Sequence, residues 1–351
     1  MTLPYLVSTV LLAGLTLPAH AASFPCGQAQ RPVEKLICGD AGLNAADELM
    51  GRTYRNALSK LSTAGVGTVR ADQVQWLAWV QEVCRTNEPL KATALSACLR
   101  PLYVARTKQL RTTVLLRDGV TFLIRTQYLA EPEKADATAN GVEYPGFGTL
   151  QASWPAADSP DAKWIAWNQA MEANAFAVAG GSDTAQTAVS QKPLWVSSLA
   201  SEQDITVLGQ VKSLEHDRVT ASMNTESMGH GAAHPNESFE TMTWLLDSGR
   251  SLRAEDVFAP ASEWKQKVAT ACWKAISTGE QKGYIYSEVT GPDAKQLLDV
   301  ITDVRNWTIE SDGLHVSYPE YTVTPRAAPL NDTVIDWAQL KPMLATGFVA
   351  P

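Results

Sequence analysis

The sequence predicts an α+β protein: a small disulfide-stapled helical domain over residues 23–117, then a larger α+β domain over residues 118–351 with a mostly antiparallel sheet. Three observations predict it. Four of the five cysteines, Cys26, Cys38, Cys84 and Cys98, crowd into one short stretch and leave Cys272 apart. Apolar residues up to about residue 117 recur at spacings of three and four, the helical period. After Asp118-Gly119 they shift to β-rich runs split by turn residues, with isolated helical stretches between them. Eleven Trp and a 45% hydrophobic content supply cores for both parts. The net charge of −8 argues against nucleic acid as the main partner, because phosphate binding needs a basic surface, and is compatible with a basic protein.

Residues 1–22 hold no charged side chain. Their apolar run from Leu6 to Leu17 ends at Pro18, and Ala19-His20-Ala21 has the small-x-small pattern of a signal-peptidase site. A secretory signal over residues 1–22, cut near Ala21 or Ala22, is therefore expected. Beyond it no apolar run has the length of a membrane span. Export places the protein in the periplasm or outside the cell, where cysteines oxidise. The cysteine spacings of 12, 46 and 14 residues do not suit the close pairs of a zinc site, so two disulfides are expected. Four cysteines allow three connectivities, among which the sequence does not decide. Cys26–Cys38 with Cys84–Cys98 is favoured because each closes a short loop beside a helix. Cys272, among Val268, Ala269, Ala271 and Trp273, reads as a buried helical thiol.

Taken in order, Pro32 opens a short helix with Val33, Leu36 and Ile37 inward and Gly39 past its end. A second begins near Leu43, capped by Asn44 or Asp40, with a stripe of Leu43, Ala46, Met50, Tyr54, Ala57 and Leu61. Ala64-Gly65-Val66-Gly67 stops it. A third runs from about Val69 to Cys84 with Trp76, Leu77 and Val80 inward. A fourth runs from about Thr93 to Leu116 on Leu95, Cys98, Leu102, Ala105 and Leu110. Val120–Tyr128 reads as a strand, and residues 131–161 as mostly loop with a short strand at Val142–Tyr144. Trp164–Val178 is helical. Ile205–Leu214 and Val219–Met228 are strands around His216-Asp217. Phe239–Leu246 and Arg250–Leu252 flank the hairpin turn Asp247-Ser248-Gly249. Helices at Trp264–Ile276 and Asp293–Val304, strands at Trp307–Glu310 and Leu314–Ser317, and a short helix at Trp337–Leu344 complete the chain.

Two stretches carry family resemblances. The first reads F24-P-C26, R31-P-V-E-K-L-I-C38, D47, Y54, Q75-W76-L77, C84, C98-L99 and Y103-x-x-R106. Over residues 24–111 it resembles the N-terminal domain of the lysozyme inhibitor LprI family. The second reads G229-H-G-A-A-H-P-N236, D247-S-G-R-S-L252, E255-D-V-F258, D312-G-L314, Y318-P-E-Y321-T-V and W337-A-Q-L-K-P-M-L344. Over residues 140–346 it resembles the RsiV-type C-terminal domain, which occurs in a lysozyme-sensing anti-sigma factor and beside some peptidoglycan deacetylases. Its Gly-Gly-Ala-His-Pro-Asn string departs here at Ala232, where the family has Gly. The sigma-regulating role is not implied, because it needs a membrane span and a cytoplasmic segment.

Both resemblances imply the cell wall and a lysozyme as partner, with binding of peptidoglycan fragments or another envelope protein as the alternative. Animal-type lysozymes are basic and cleave in a long cleft, so an acidic partner would be steered to them and a protruding loop would block the cleft. Candidate partner-binding residues are Met228, His230, His234, Asn236, Glu320 and Tyr321, with acidic residues near the first domain's helix ends. The spacing of His230 and His234 would suit zinc on a helix, but Gly229, Gly231 and Pro235 oppose a helix, so His234 reads first as bonding its own loop. Tyr318 and Tyr321 read first as core. No G-x-S-x-G, P-loop, G-x-G-x-x-G or CxxC string appears, nor a deacetylase Asp/His set. The expectation is a non-catalytic protein with no metal and no cofactor, with a cell-wall-acting enzyme as the lesser alternative.

Overall fold

The structure, a computed structural model, describes residues 23–86, 90–132, 146–180, 202–215 and 217–351. A helical region comes first: α1 (Pro32–Gly39), α2 (Ala41–Leu58), α3 (Thr63–Val83) and α4 (Ala92–Thr112). Asp40 caps α2 by accepting from the amides of Gly42 and Leu43. Ser62 caps α3, and the Asp158 carboxylate accepts in turn from the Ser62 amide and hydroxyl. A Cβ at Gly65 would come within 2.6 Å of that carboxylate, so glycine here serves the cap. The Ala64–Gly67 stretch is thus the first turn of α3, and the expected stop lies before it. Trp76 and Val80 face the core as expected. Leu77 is 38% exposed, and Trp79 takes the inward place with its indole donating to the Leu129 carbonyl at 3.0 Å. In α4 the buried line is Leu95, Leu99, Tyr103, Arg106 and Leu110, while Ala105 is exposed. Disulfides join Cys26 to Cys38 and Cys84 to Cys98, the favoured pairing.

The fourth helix ends earlier than its periodicity suggests, and residues 114–117 turn into a strand. Among the described residues seven strands form one sheet in sequence order: β1 (Val114–Arg117), β2 (Val120–Pro132), β3 (Phe147–Ala157), β4 (Gln203–Glu215), β5 (Arg218–Gly229), β6 (Asn236–Leu245) and β7 (Arg250–Ser251). All pairs are antiparallel except β3 with β4, which are parallel. The parallel step needs a crossover, and α5 (Ala162–Gly180) lies between the two strands in sequence. It buries Trp164, Trp167, Met171 and Phe176 against Trp154, Val207, Val219 and Met223. Strand β3 was expected as loop. Its Ala, Gly, Ser and Pro content hides a strand whose register against β2 is continuous from Phe147 to Ala157. The expected strand at Val142–Tyr144, and His216, lie outside the described residues.

The last part packs α6 (Ala254–Val257), α7 (Trp264–Thr278), α8 (Lys295–Thr302) and α9 (Trp337–Leu340) around a second sheet of β8 (Trp307–Glu310), β9 (Gly313–Val316) and β10 (Thr333–Ile335), all antiparallel in the order β10-β9-β8. Phe258 stacks on Trp264 at 4.6 Å between ring centroids, and Trp307 meets both edge-on. Cys272 is buried here, as expected, and burial pushes its thiol up to about 11. Among the described residues no helix is long and apolar enough to cross a membrane.

Candidate functional site

The residues chosen from the sequence lie at the β5–β6 connection and in the segment that follows β9. Met228 and Gly229 end β5 and Asn236 starts β6, so residues 230–235 form the connection between these strands. The chain here is not helical, as Gly229, Gly231 and Pro235 require. Gly231 has φ +83, the left-handed region that favours glycine. Ala232 does not, and its amide donates to the Gly229 carbonyl at 2.9 Å, so this position does not need glycine.

The two histidines take different partners. His230 buries its side chain, with Nε2 3.4 Å from an Asp204 carboxylate oxygen. His234 is exposed, with Nδ1 3.0 Å from the Pro235 carbonyl oxygen and 3.0 Å from a guanidinium nitrogen of Arg326. Arg326 also donates to the Pro235 carbonyl. One tautomer serves only one of these contacts: Nδ1 donates to the Pro235 carbonyl when it carries the proton and accepts from Arg326 when it does not. Elsewhere, Glu310, Asp312 and His315 lie close enough to share an ion, but they are mostly exposed, and His315 bonds Asp312 at 2.7 Å.

Arg326 is the residue that sequence reasoning missed, since one arginine between Pro325 and Ala327 gives no signal. It ties the two expected segments together. One nitrogen lies 2.5 Å from a Glu237 oxygen and Nε lies 3.3 Å from a Glu320 oxygen. The two expected tyrosines part company. Tyr318 packs against the core and shares a 2.7 Å hydrogen bond with Thr333. Tyr321 is 54% exposed with φ +60, a conformation that costs a non-glycine residue energy, so the expectation of a core residue fails here.

The Pro319–Thr322 segment lines two hollows. One, about 420 Å³, has a floor of Thr206, Leu208 and Asn224 and a rim of Glu226, Glu237 and Glu320. The other, about 480 Å³, includes Glu240, Asp299, Asp303, Arg305 and Tyr321. Lys295 pairs with Asp299, Arg305 with Asp303, and Arg326 with Glu237 and Glu320, so among the described residues named here six carboxylates meet three cations. The expected acidic contacts at the helical region's ends are placed otherwise. Glu34 accepts from the Arg31 and Gln30 amides and pairs with the Arg31 guanidinium, bonds that hold its carboxyl below the usual range. Asp40 is likewise lowered, by the Ser96 hydroxyl and the α2 amides. Those carboxylates are committed to caps.

Comparison with known proteins gives a match of residues 26–110 to the family model of lysozyme inhibitor LprI. No curated protein matches the chain. Among solved structures, a member of the DUF3298 family from Bacteroides fragilis is 15% identical, with a TM-score of 0.47 over 64% of this chain and 94% of that one. A DUF3298 family protein from Pseudomonas aeruginosa is 14% identical, with a TM-score of 0.41 over 63% and 94%. The family match suggests a lysozyme-inhibitor-like binding role, and with the two disulfides it suggests a protein outside the cytoplasm.

Proposed function

We propose that this is an exported, non-catalytic binding protein of the periplasm or the extracellular medium that engages lysozyme, with an LprI-like helical domain followed by an RsiV-type α+β domain. The observation that carries the reading is the match of residues 26–110 to the lysozyme inhibitor family. The acid-rimmed hollows beside Pro319–Thr322 support it, because a negative face attracts a basic protein. Glu320 and Tyr321 line that face, His234 meets it through Arg326, and Met228, His230 and Asn236 belong to the neighbouring strand ends and connection. The mature protein is expected to bind a c-type lysozyme and to slow lysis of cell walls in a turbidity assay, more strongly at low than at moderate salt. No binding at micromolar protein would overturn the reading. Binding to isolated muropeptides in place of lysozyme would favour a peptidoglycan-binding module.

A further inference from the structure

Asp47 lies in the middle of α2 and is 3% exposed, yet among the described residues it makes no ion pair. A buried carboxylate without a counter-ion is costly. Its hydrogen-bond partner is Ser23, whose backbone nitrogen donates to Oδ2 at 2.5 Å. Burial raises the Asp47 carboxyl and the Ser23 bonds pull it back down. The same helix prepares the approach a second time. Gly51, one turn beyond Asp47, is buried in α2, where glycine costs about 1 kcal/mol against alanine. A Cβ at that position would lie 2.7 Å from the Ser23 Cβ. One helix face thus offers Ser23 a carboxylate and, next to it, a bare backbone. Phe24 packs on the helical core and Cys26 is tied to Cys38, so the start of the segment is anchored from both sides.

We propose that the leader is removed between Ala22 and Ser23, and that the α-ammonium so created on Ser23 is the missing counter-ion of Asp47. Hydrolysis by a leader-removing peptidase consumes one water. Ala22 leaves with the new carboxylate, and Ser23 keeps the nitrogen, which takes up a proton because free α-amines titrate near 8. A cut one residue earlier leaves an amide at Ser23, puts the charge on Ala22, and leaves Asp47 uncompensated. The α2 seat therefore distinguishes the products of the two expected cleavage points, after Ala21 or after Ala22, by which amine reaches Asp47. Export and folding become linked, since the ion pair exists only in the processed chain.

The test uses the full chain recovered after export. Mass spectrometry of its amino terminus is expected to read Ser23. Four proteins are then compared: the processed chain, the same chain extended by Gly-Ser, and Asp47→Asn in each. The extension is expected to lower Tm by about 5 °C, Asp47→Asn by a similar amount, and the two together by no more than either alone. The α-amine of the processed chain is expected to acylate about tenfold more slowly than in Asp47→Asn, the effect of raising its pKa by about one unit. A first residue other than Ser23, an extension without effect on Tm, or additive losses would overturn the proposal. Should Asp47→Asn fail to fold, acylation of the native chain against the same chain in urea decides. Equal rates there would also overturn it.

Discussion

Residues 26–110 hold eleven Lys and Arg against seven Asp and Glu, a net of +4, so the whole chain's −8 leaves −12 for the remainder. The part that matches an inhibitor of a wall-cleaving enzyme is the basic part, and the acidity that suits a basic partner lies elsewhere. The carboxylates of the two regions are also used differently. In the helical region Glu34 and Asp40 cap helices, Glu48 pairs with Arg52, Asp47 is buried with Ser23, and Asp72 reaches across to Arg125 on β2. On the sheet side Glu226 stands exposed on the groove rim and Glu237 shares one guanidinium with Glu320. The carboxylates named in the helical region are all engaged internally, whereas the sheet side has both engaged ones, such as Asp256 with Arg250, and presented ones, such as Glu226. Net charge for the whole chain conceals that division.

The largest effect expected from this division is at the staples. Replacing Cys84 and Cys98 together by Ser should cost about 3 kcal/mol, because the cross-link closes a short loop in a region with a small core of its own. Urea unfolding measures the loss, and hydrogen exchange locates it in α3 and α4. Equal loss of protection throughout the seven-stranded sheet would break the comparison, since the two regions would then unfold as one.

The seam between them comes next. Arg125 on β2 pairs with buried Asp72 on α3, with Nε 3.1 Å from one carboxylate oxygen, and the Thr126 amide donates to the same carboxylate. Arg106 on α4 donates to the Tyr128 hydroxyl at 2.9 Å, and that hydroxyl donates to Gln109 at 2.7 Å. Asp72→Ala would strand the guanidinium and the amide. A loss of about 2 kcal/mol is expected, below that of a fully buried pair because Arg125 is partly exposed. Faster exchange in β2 as well as α3 would show that the seam couples them; a change confined to α3 would show that it does not.

A smaller effect tests presentation. Glu237→Gln with Glu320→Gln leaves Arg326 with the Pro235 carbonyl and His234, so folding should be little changed. Association with a basic lysozyme is expected to slow by a few-fold, with the difference fading as salt screens the face. A changed dissociation rate with unchanged association would mean direct contact and not steering.

How much of this was legible varies with the physical source of each feature. The helices were readable because their buried stripes repeat at spacings that only a helix satisfies. The antiparallel sheet was readable from its hairpin turns, as at Asp247-Ser248-Gly249, where Gly249 takes φ +62. Strand β3 was not, because a strand buried on both faces by large neighbours can be built from small residues such as Ala152, Ser153 and Ala156. Glycines misled at the start of α3, since Gly65 is there for Asp158, a residue far off in sequence. At the candidate site, sequence found the two segments but not their connector. Arg326 acts through partners that lie about ninety residues away along the chain for the loop and beside it for Glu320, and nothing local marks that role.

The weakest expected effect lies in acid. Asp256 at the start of α6 receives two bonds from the Arg250 guanidinium, at 2.6 and 2.7 Å, and one from the Arg253 amide. The Arg250 bond is the main cause that holds its carboxyl below the ordinary value, with burial opposing. A carboxyl lowered in the folded state stabilises it above the unfolded value of about 4. That contribution fades as pH falls through 4 and is gone once the folded carboxyl is protonated. Asp256→Asn removes it at every pH, so the variant should lie about 0.5 kcal/mol below the parent at pH 7 and converge with it in strong acid. Exposed pairs are screened, which keeps the figure small. The matching experiment in the helical region is Asp40→Asn, whose acid limb should flatten in the same direction, because Ser96 and the α2 amides hold Asp40 down in the same way. If both limbs flatten, the two regions share their internal use of carboxylates and differ only in what they present outward. If only Asp40 matters, the sheet region keeps its charge for the surface alone.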